Sequence, residues 1–300
     1  MKGFNLLPTN TNIPFIKGRY VTYSIAAIIS LTTLICYLIW GMNYGIDFKG
    51  GIMLEAKTKG PANISQLRQE LNTLSLGEVS LQEYGSPSDV LIRVEHQPGG
   101  EKGQEEAINK IKQSLDVEFR RIETVGPKLG EELISNGAQA IIWGLLAMLV
   151  YIWFRFEWQF GVCAIIALIH DALGVLALYS IFRFEFNTTA IVAILTTIGY
   201  SINDTVVIYD RVRENLRKFK KKTIPDILNI SINETLSRTI LTSGSTLLAL
   251  FALYFFGGEV IATYSFPIIV GIIIGTYSSI CLAPPLLLFF SARHFRQAEE

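Results

Sequence analysis

Charged residues are scarce in this sequence. They make up 17% of the 300 residues, whereas half of the residues are apolar. Soluble domains carry about 25% charged residues, so this composition is typical of a protein that resides in a lipid bilayer. The formal net charge is zero, which provides no general attraction to nucleic acid. We therefore expect a membrane protein with no nucleic-acid partner.

Cysteine and histidine are also rare, with three of each. Cys36, Cys163 and Cys281 lie inside apolar runs, and their spacing matches neither a disulfide framework nor a metal site. His170 precedes Asp171, but no nucleophilic Ser or Cys lies on an adjacent turn. The sequence therefore predicts no metal, no cofactor, no disulfide and no catalytic residue, and the chain is not expected to be an enzyme.

Long apolar runs are the main feature of the sequence. A helix needs about 20 mostly apolar residues to cross the hydrocarbon core of a bilayer. Six segments meet this requirement: 20–41, 134–154, 159–181, 188–209, 239–256 and 263–290. The first is too long for the apolar part of a signal peptide, and no small-residue cleavage site follows it. The predicted fold class is an α-helical membrane protein with six transmembrane helices.

The positions of Lys and Arg predict the orientation, because these residues accumulate in cytoplasmic loops. With both termini in the cytoplasm, the short loops on the opposite side contain only Arg183. The cytoplasmic side then holds Lys2, Lys17, Arg19, Arg155, the run 211–222, Arg238, Arg293 and Arg296. Within that run, Lys218 and the lysines at 220–222 are expected to contact the headgroups of the lipid bilayer.

This topology divides the chain into four parts. Residues 1–41 form the cytoplasmic N-terminus and the first transmembrane helix, and 42–132 form a domain on the outer side. Residues 133–292 hold the other five helices, with a cytoplasmic loop at 210–238. Residues 293–300 form the cytoplasmic C-terminus.

The outer segment 42–132 has the pattern of a soluble domain. Alternating residues predict strands near 52–56, 79–82, 90–94 and from 117, and helical spacing predicts helices near 64–74 and 108–115. The order βαββαβ is the ferredoxin-like plan, an α+β fold in which two helices cover one face of a four-stranded sheet. The other face either binds a polypeptide or has no dedicated role, because this fold is common and serves many functions.

Ionisable residues inside the predicted spans are the strongest functional signal, because each costs roughly 2.5 to 3.5 kcal/mol at a helix centre. Asp204 lies in the fourth span beside Asn203 and Thr205. Spacing of three and four residues places it on one side of the helix with Thr197, Tyr200 and Ser201. Lipid cannot satisfy such a stripe, so we expect it to face protein or water.

A matching stripe opens the fifth span. It contains Glu234, Arg238, Thr242 and Ser245 at helical spacing, with Ser237 and Thr239 beside them. Two facing stripes would bring the Asp204 carboxylate and the Arg238 guanidinium into one region of low dielectric, where the guanidinium influences proton binding by the carboxylate. A proton relay of Asp204 and Arg238 is one interpretation. A static buried ion pair, or side chains extending to the cytoplasmic interface, is the other.

Two further features of the spans are weaker. His170 and Asp171 lie in the third span, where they either form helix-packing hydrogen bonds or belong to the relay as secondary members. Gly271 and Gly275 form a G-x-x-x-G pattern in the sixth span, which allows another helix to approach closely.

Three motifs resemble those of a known family, the SecF subunits of bacterial protein translocases, which are related to the resistance-nodulation-division transporters. The run 45–51 resembles the family's G-x-D-F-x-G-G motif after the first span, with Gly45, Asp47, Phe48, Gly50 and Gly51. The run 200–215 is similar to the family's fourth-span signature, and 234–243 is similar to its fifth-span signature. The resemblance extends over nearly the whole chain.

The resemblance implies a function. It implies a multi-pass protein of the bacterial cytoplasmic (inner) membrane with a periplasmic domain at 42–132. Its partners would be SecD, the SecYEG channel, SecA and YajC, and it would use protons to drive export of unfolded polypeptides. In the family, the residues tied to proton use correspond to Asp204 and Arg238. The alternatives are a passive scaffold of the translocase, or half of a proton-driven exporter of small molecules.

Overall fold

A computed structural model of the chain describes residues 11–84 and 86–290. Each of six helices is long and apolar enough to cross a membrane, as the sequence predicted. These helices are α1 (Arg19–Trp40), α5 (Pro127–Arg155), α6 (Trp158–Ile181), α7 (Thr188–Lys218), α8 (Ile224–Phe256) and α9 (Gly258–Cys281). The predicted C-terminal segment 293–300, together with Lys2, Arg293 and Arg296, lies outside the described residues.

The prediction of a loop at 210–238 is wrong. Helix α7 continues to Lys218 and α8 begins at Ile224, so only residues 219–223 connect them. The charges that suggested a loop lie on the outer side of both helices, while Val212 and Ile232 are buried in the bundle. Thr223 caps α8 by accepting a hydrogen bond from the Asp226 amide at 3.4 Å.

Three helices form the centre of the bundle. The apolar windows of α6, α7 and α9 are 61%, 50% and 56% buried, compared with 17% for the first span and 11% each for α5 and α8. Gly271 and Gly275 on α9 pack directly against α7. A Cβ at Gly271 would overlap the Thr197 hydroxyl, and one at Gly275 would lie 3.0 Å from the Ser201 Cβ. The glycine pair therefore brings two central helices together.

A small antiparallel sheet follows the first span. The segments in chain order are α2 (Ile46–Lys49), β1 (Gly51–Lys57), α3 (Ile64–Asn72), β2 (Val79–Tyr84), β3 (Ser86–Val94), α4 (Glu101–Ser114) and β4 (Glu118–Val125). The strand order is β2-β3-β1-β4, and every neighbouring pair is antiparallel. Helices α3 and α4 pack on one face over a core that includes Leu54, Leu71, Ile92 and Ile111. Helix α10 (Ala283–Leu286) follows α9 and packs against the central helices.

The glycine motif at 45–51 joins this small domain to the bundle. The Gly45 amide donates to the Phe186 carbonyl at 2.8 Å, and the Phe48 ring stacks on the Phe186 ring with centroids 5.6 Å apart. The Asp47 carboxylate accepts hydrogen bonds from the Thr188 amide at 3.1 Å and the Thr188 hydroxyl at 2.7 Å. Asp47 therefore satisfies the first turn of α7, where backbone amides lack helical partners.

The double glycine is required by backbone geometry. Gly50 and Gly51 have φ angles of 74° and 140°, which L-amino acids with a side chain rarely adopt. A Cβ at Gly51 would also lie 2.5 Å from the Val94 carbonyl oxygen on β3. The start of β1 therefore has no space for a side chain.

We expect Gly51→Ala to lower the free energy of unfolding of the small domain by about 2 kcal/mol, because it combines backbone strain with a clash. Gly60→Ala is the matched control, since a Cβ there meets nothing within 4 Å. Thermal melting and limited proteolysis of the purified full chain measure both variants. Equal melting temperatures for Gly51→Ala and Gly60→Ala would contradict the requirement for glycine at position 51.

Candidate functional site

Asp204 is a buried carboxylate at the contact between α7 and α8. Its side chain is 3% exposed. The Thr242 hydroxyl donates to Oδ1 at 3.4 Å, and the Ser243 hydroxyl donates to Oδ2 at 3.3 Å. One helical turn away on the same contact between α7 and α8, the hydroxyls of Tyr200 and Thr246 lie 3.0 Å apart. The polar residues of α7 and α8 therefore meet, as the spacing of the stripes predicted.

Both hydroxyls that contact Asp204 have a second acceptor. Thr242 lies 3.0 Å from the Arg238 carbonyl oxygen and 2.9 Å from the Thr239 carbonyl oxygen of its own helix. Ser243 lies 2.8 Å from the Thr276 hydroxyl of α9. Because each hydroxyl has only one proton, it can donate either to the carboxylate or to the alternative acceptor.

This arrangement makes the local hydrogen bonds depend on the protonation of Asp204. A charged carboxylate attracts the protons of Thr242 and Ser243, because hydrogen bonds to charged groups are the stronger ones. A neutral carboxyl group has a proton of its own to donate, which releases Ser243 towards Thr276. A proton on Asp204 would therefore alter the bond from Ser243 on α8 and, through Ser243, the contact with Thr276 on α9.

The predicted partner Arg238 is on the exposed side of α8. Its side chain forms no hydrogen bond or ion pair with any residue that the structure describes. It lies one helical turn from Thr242, so it is close enough to act on Asp204 through space but is not bound to it. The structure thus brings Asp204 together with Thr242 and leaves Arg238 open to the surroundings of the helix.

Glu234 lies about two helical turns before Thr242 on α8 and does not contact Asp204. It accepts hydrogen bonds from the Arg211 guanidinium at 2.7 Å and from the Asn215 amide at 2.6 Å. Glu234 therefore faces α7, as the matching stripes predicted, but it joins the extended ends of α7 and α8 and does not contact Asp204. Ser237 is half-buried there.

The stripe predicted on α7 contacts three neighbouring helices. Successive helical residues are rotated by about 100°, so residues from 197 to 205 at this spacing cover a wide arc. Tyr200 and Asp204 face α8, whereas Thr197, Ser201 and Thr205 face α6 and α9 and are buried. Asn203 is exposed on the remaining side. Thr197, Tyr200, Ser201 and Asp204 therefore face protein, as predicted, but they contact three different helices, and Asn203 lies outside this stripe.

Asp171 on α6 occupies the centre of the second polar cluster. It is 0% exposed. Its Oδ2 atom accepts hydrogen bonds from Ser201 on α7 at 2.6 Å and from Ser278 on α9 at 2.8 Å. Its Oδ1 atom lies 3.1 Å from Nδ1 of His170. One carboxylate therefore ties the three central helices together.

The hydroxyl residues of α9 were not found from the sequence. Ser279 lies 3.3 Å from the Ser201 hydroxyl and 2.9 Å from the Thr205 hydroxyl, and it donates to the Ser201 carbonyl at 3.0 Å. The available signal was the group of small hydroxyl residues Thr276, Ser278 and Ser279 shortly after Gly275. Such residues are typical of close helix contacts in membranes. Among the described residues, no group of three His, Cys, Asp or Glu side chains is arranged to hold a metal ion.

We expect Asp171→Leu to destabilise the bundle by about 3 kcal/mol, because it removes an acceptor shared by buried hydroxyls on two helices. Asp171→Asn keeps one acceptor and should cost less. The control is Asp210→Asn. Asp210 forms an ion pair with Arg155 at 2.6 Å, and the two side chains are 42% and 45% exposed. This exposed pair should contribute less than about 1 kcal/mol to stability. Thermal melting of the full chain ranks the three variants. A wild-type melting temperature for Asp171→Leu would refute the role of Asp171 in holding the three central helices together.

Comparisons with known proteins agree with this architecture. A model of the family "Protein export membrane protein SecD/SecF, C-terminal" matches residues 104–293, and the "SecD/SecF GG Motif" matches residues 41–62. Protein translocase subunit SecF of Rickettsia felis is 46% identical over 298 residues, covering 97% of this chain and 96% of that protein. The subunit SecF of Rickettsia akari is 47% identical over 296 residues, with the same coverage.

The solved structures lead to the same family. The crystal structure of SecDF, a translocon-associated membrane protein from Thermus thermophilus, matches with a TM-score of 0.84 and 33% identity over 95% of this chain. A second structure, SecDF in a super-membrane-facing form, matches with a TM-score of 0.70 and 33% identity over 96% of this chain. This chain spans 39% and 40% of the lengths of those two chains. The resemblance seen in the three motifs is confirmed: the chain belongs to the SecD/SecF family of protein export membrane proteins.

Proposed function

We propose that this chain is a SecF-type subunit of the Sec protein translocase in a bacterial cytoplasmic membrane. It works with SecD and uses the proton-motive force to drive export of polypeptides, after SecA has inserted them into SecYEG. The Rickettsia relatives are named as translocase subunits. The solved SecDF chains are longer than this one, which supports a second subunit supplying the remainder of the assembly.

The observation that carries the proton role is the buried carboxylate of Asp204 between two hydroxyls that each have a second acceptor. Proton binding there would change contacts on α8 and α9. Moving one charge through 100 mV provides about 2.3 kcal/mol, enough to bias a two-state element roughly fifty-fold. Arg238, one turn away on α8, would favour release of the proton by its positive charge.

The small domain is the element that this switch would move. We assign it the ferredoxin-like fold and the periplasmic side, on the basis of its βαββαβ order and the distribution of Lys and Arg. Helix α7 connects the two sites, because its first turn binds Asp47 and Asp204 lies 16 residues further along. At 1.5 Å per residue, this separation is about 24 Å of continuous helix. A shift of α7 would therefore reach the domain directly and change how it holds an exported chain.

The exposed polar face beside Asp204 supports SecD as the covering partner. Thr196, Gly199 and Asn203 follow each other at three- and four-residue spacing on the exposed side of α7, near the exposed Arg238 of α8. A Cβ at Gly199 would meet nothing within 4 Å. Lipid cannot satisfy Asn203 or Arg238 within the hydrocarbon, whereas a helix of SecD with polar residues can.

We expect Asp204→Asn to abolish the gradient-dependent part of export, lowering the rate about tenfold or more, because the amide cannot bind and release a proton. Export of a secreted protein into inverted membrane vesicles, with and without a proton gradient, measures this effect. SecD is present throughout.

The matched control is Asp210→Asn, six residues further along α7, where the carboxylate is exposed and paired with Arg155. It should export at the wild-type rate. A normal gradient-dependent rate for Asp204→Asn would reject the proton role and favour the second candidate, a passive scaffold of the translocase.

A second prediction concerns the partner face. In a chain without its native cysteines, Asn203→Cys should form disulfides with cysteines placed along the helices of SecD, because the face of α7 would lie against that subunit. Ile142→Cys on α5 is the control, since that side chain is 56% exposed among apolar neighbours. Crosslinking in native membranes, read on gels, separates the two. Equal crosslinking of both variants, or none from Asn203→Cys, would contradict the assignment.

A further inference from the structure

An apolar groove lies between α1 and α5, on the half of the bundle next to the small domain. Both helices pack on α6, which forms the floor together with α7, and the groove has a volume of about 370 Å³. The walls and floor include Leu34, Tyr37, Ala138, Ile141, Leu176 and Ile194. The stacked rings of Phe48 and Phe186 close the end nearest the domain.

The lining of the groove is mostly apolar, and its hydroxyl groups belong to Thr33, Tyr37, Tyr44 and Ser180. Thr33 donates to the Ile29 carbonyl at 2.8 Å, and the Ser180 hydroxyl lies 3.9 Å from the Met42 sulfur. The Tyr37 and Tyr44 hydroxyls are hydrogen-bonded to each other, so these groups have partners within the protein. Apolar cavities without polar partners remain dry and take apolar ligands. A volume of this size lies in the range of ligand-binding cavities.

The walls of the groove continue onto surfaces that face the bilayer. On α1, Leu34 is 52% exposed and Leu38 is 72% exposed, and on α5, Ile142 is 56% exposed. No covering element of this chain lies over them among the described residues. The groove is therefore open sideways to the hydrocarbon of the membrane, which is the only abundant apolar phase at that depth.

A cation and an aromatic ring mark the headgroup level at the end of the groove. Trp40 is 58% exposed at the last residue of α1, where tryptophan is typical of the membrane interface. The guanidinium of Arg183 donates through Nη1 to the carbonyls of Trp40 at 2.8 Å and Gly41 at 3.0 Å. Its other N–H groups donate to no residue that the structure describes, and the side chain is exposed. A phosphate is the anion that this level of a bilayer supplies.

We propose that this groove binds one acyl chain of a phospholipid, whose phosphate lies against Arg183. The chain enters sideways between α1 and α5 and ends on the floor formed by α6 and α7. It contacts Phe48 and Phe186, the two rings by which the domain packs on the bundle. A bound lipid would thus fill the space next to the contact between the small domain and the bundle. The site does not involve Asp204.

The experiment uses the complex isolated from native membranes and reconstituted into vesicles of phosphatidylethanolamine and phosphatidylglycerol. A phosphatidylglycerol with a photoreactive group near the end of one acyl chain is the probe. Ala138→Phe fills the groove from an exposed position on α5, and Ala147→Phe is the matched control on the exposed surface of the same helix. Labelled peptides are identified by mass spectrometry.

We expect the wild type and Ala147→Phe to be labelled on residues that line the groove. We expect Ala138→Phe to lose roughly tenfold of this labelling, because its ring occupies the volume of the acyl chain. Arg183→Gln should lower labelling by a smaller factor. Unchanged labelling in Ala138→Phe would overturn the proposal. So would groove residues that crosslink to a protein partner instead of lipid.

Discussion

The structure depends on one constraint: polar groups inside a bilayer have to be satisfied by protein, because hydrocarbon offers no hydrogen bonds. Helix α7 has an unusual number of them and meets the constraint through contacts with three other helices. Ser201 and Thr205 are satisfied by α6 and α9, and Asp204 by α8. The contacts of α6, α8 and α9 with α7 meet these requirements, since each of the three supplies hydroxyls or a carboxylate to one side of α7.

Asp171 and Asp204, the two buried carboxylates among the described residues, differ in what surrounds them. Asp171 has short hydrogen bonds of 2.6 and 2.8 Å from hydroxyls on two central helices, so its contacts favour a fixed arrangement. Asp204 has long contacts of 3.4 and 3.3 Å from hydroxyls that have closer acceptors elsewhere. A tightly bound carboxylate holds helices in place, whereas a weakly bound one leaves room for a change of protonation. The bundle therefore combines a rigid side of α7 with an adjustable one.

Much of this could be predicted from the sequence, because the signals are local. The six spans follow from long apolar runs, and the order of strands and helices in the small domain follows from alternation and helical spacing. Asp204 was found because a charge in an apolar run is costly. The loop prediction at 210–238 failed because charge on the outer side of a helix is indistinguishable from charge in a loop. The role of Asp47 at the first turn of α7 could not be predicted, because Asp47 and Thr188 are 141 residues apart in the sequence.

The same constraint explains why the polar surface of α7 and α8 is informative. The apolar windows of α5 and α8 are equally exposed, yet their exposed residues differ in character. Trp143 and Phe154 on α5 are suited to lipid, whereas Arg238 on α8 and Asn203 on α7 are not. A chain that satisfied every buried group by itself would have no reason to leave these two uncovered within the span. Their exposure, beside a carboxylate with weak contacts, is what the proposed pairing with SecD would explain, because a helix of that subunit would cover both residues.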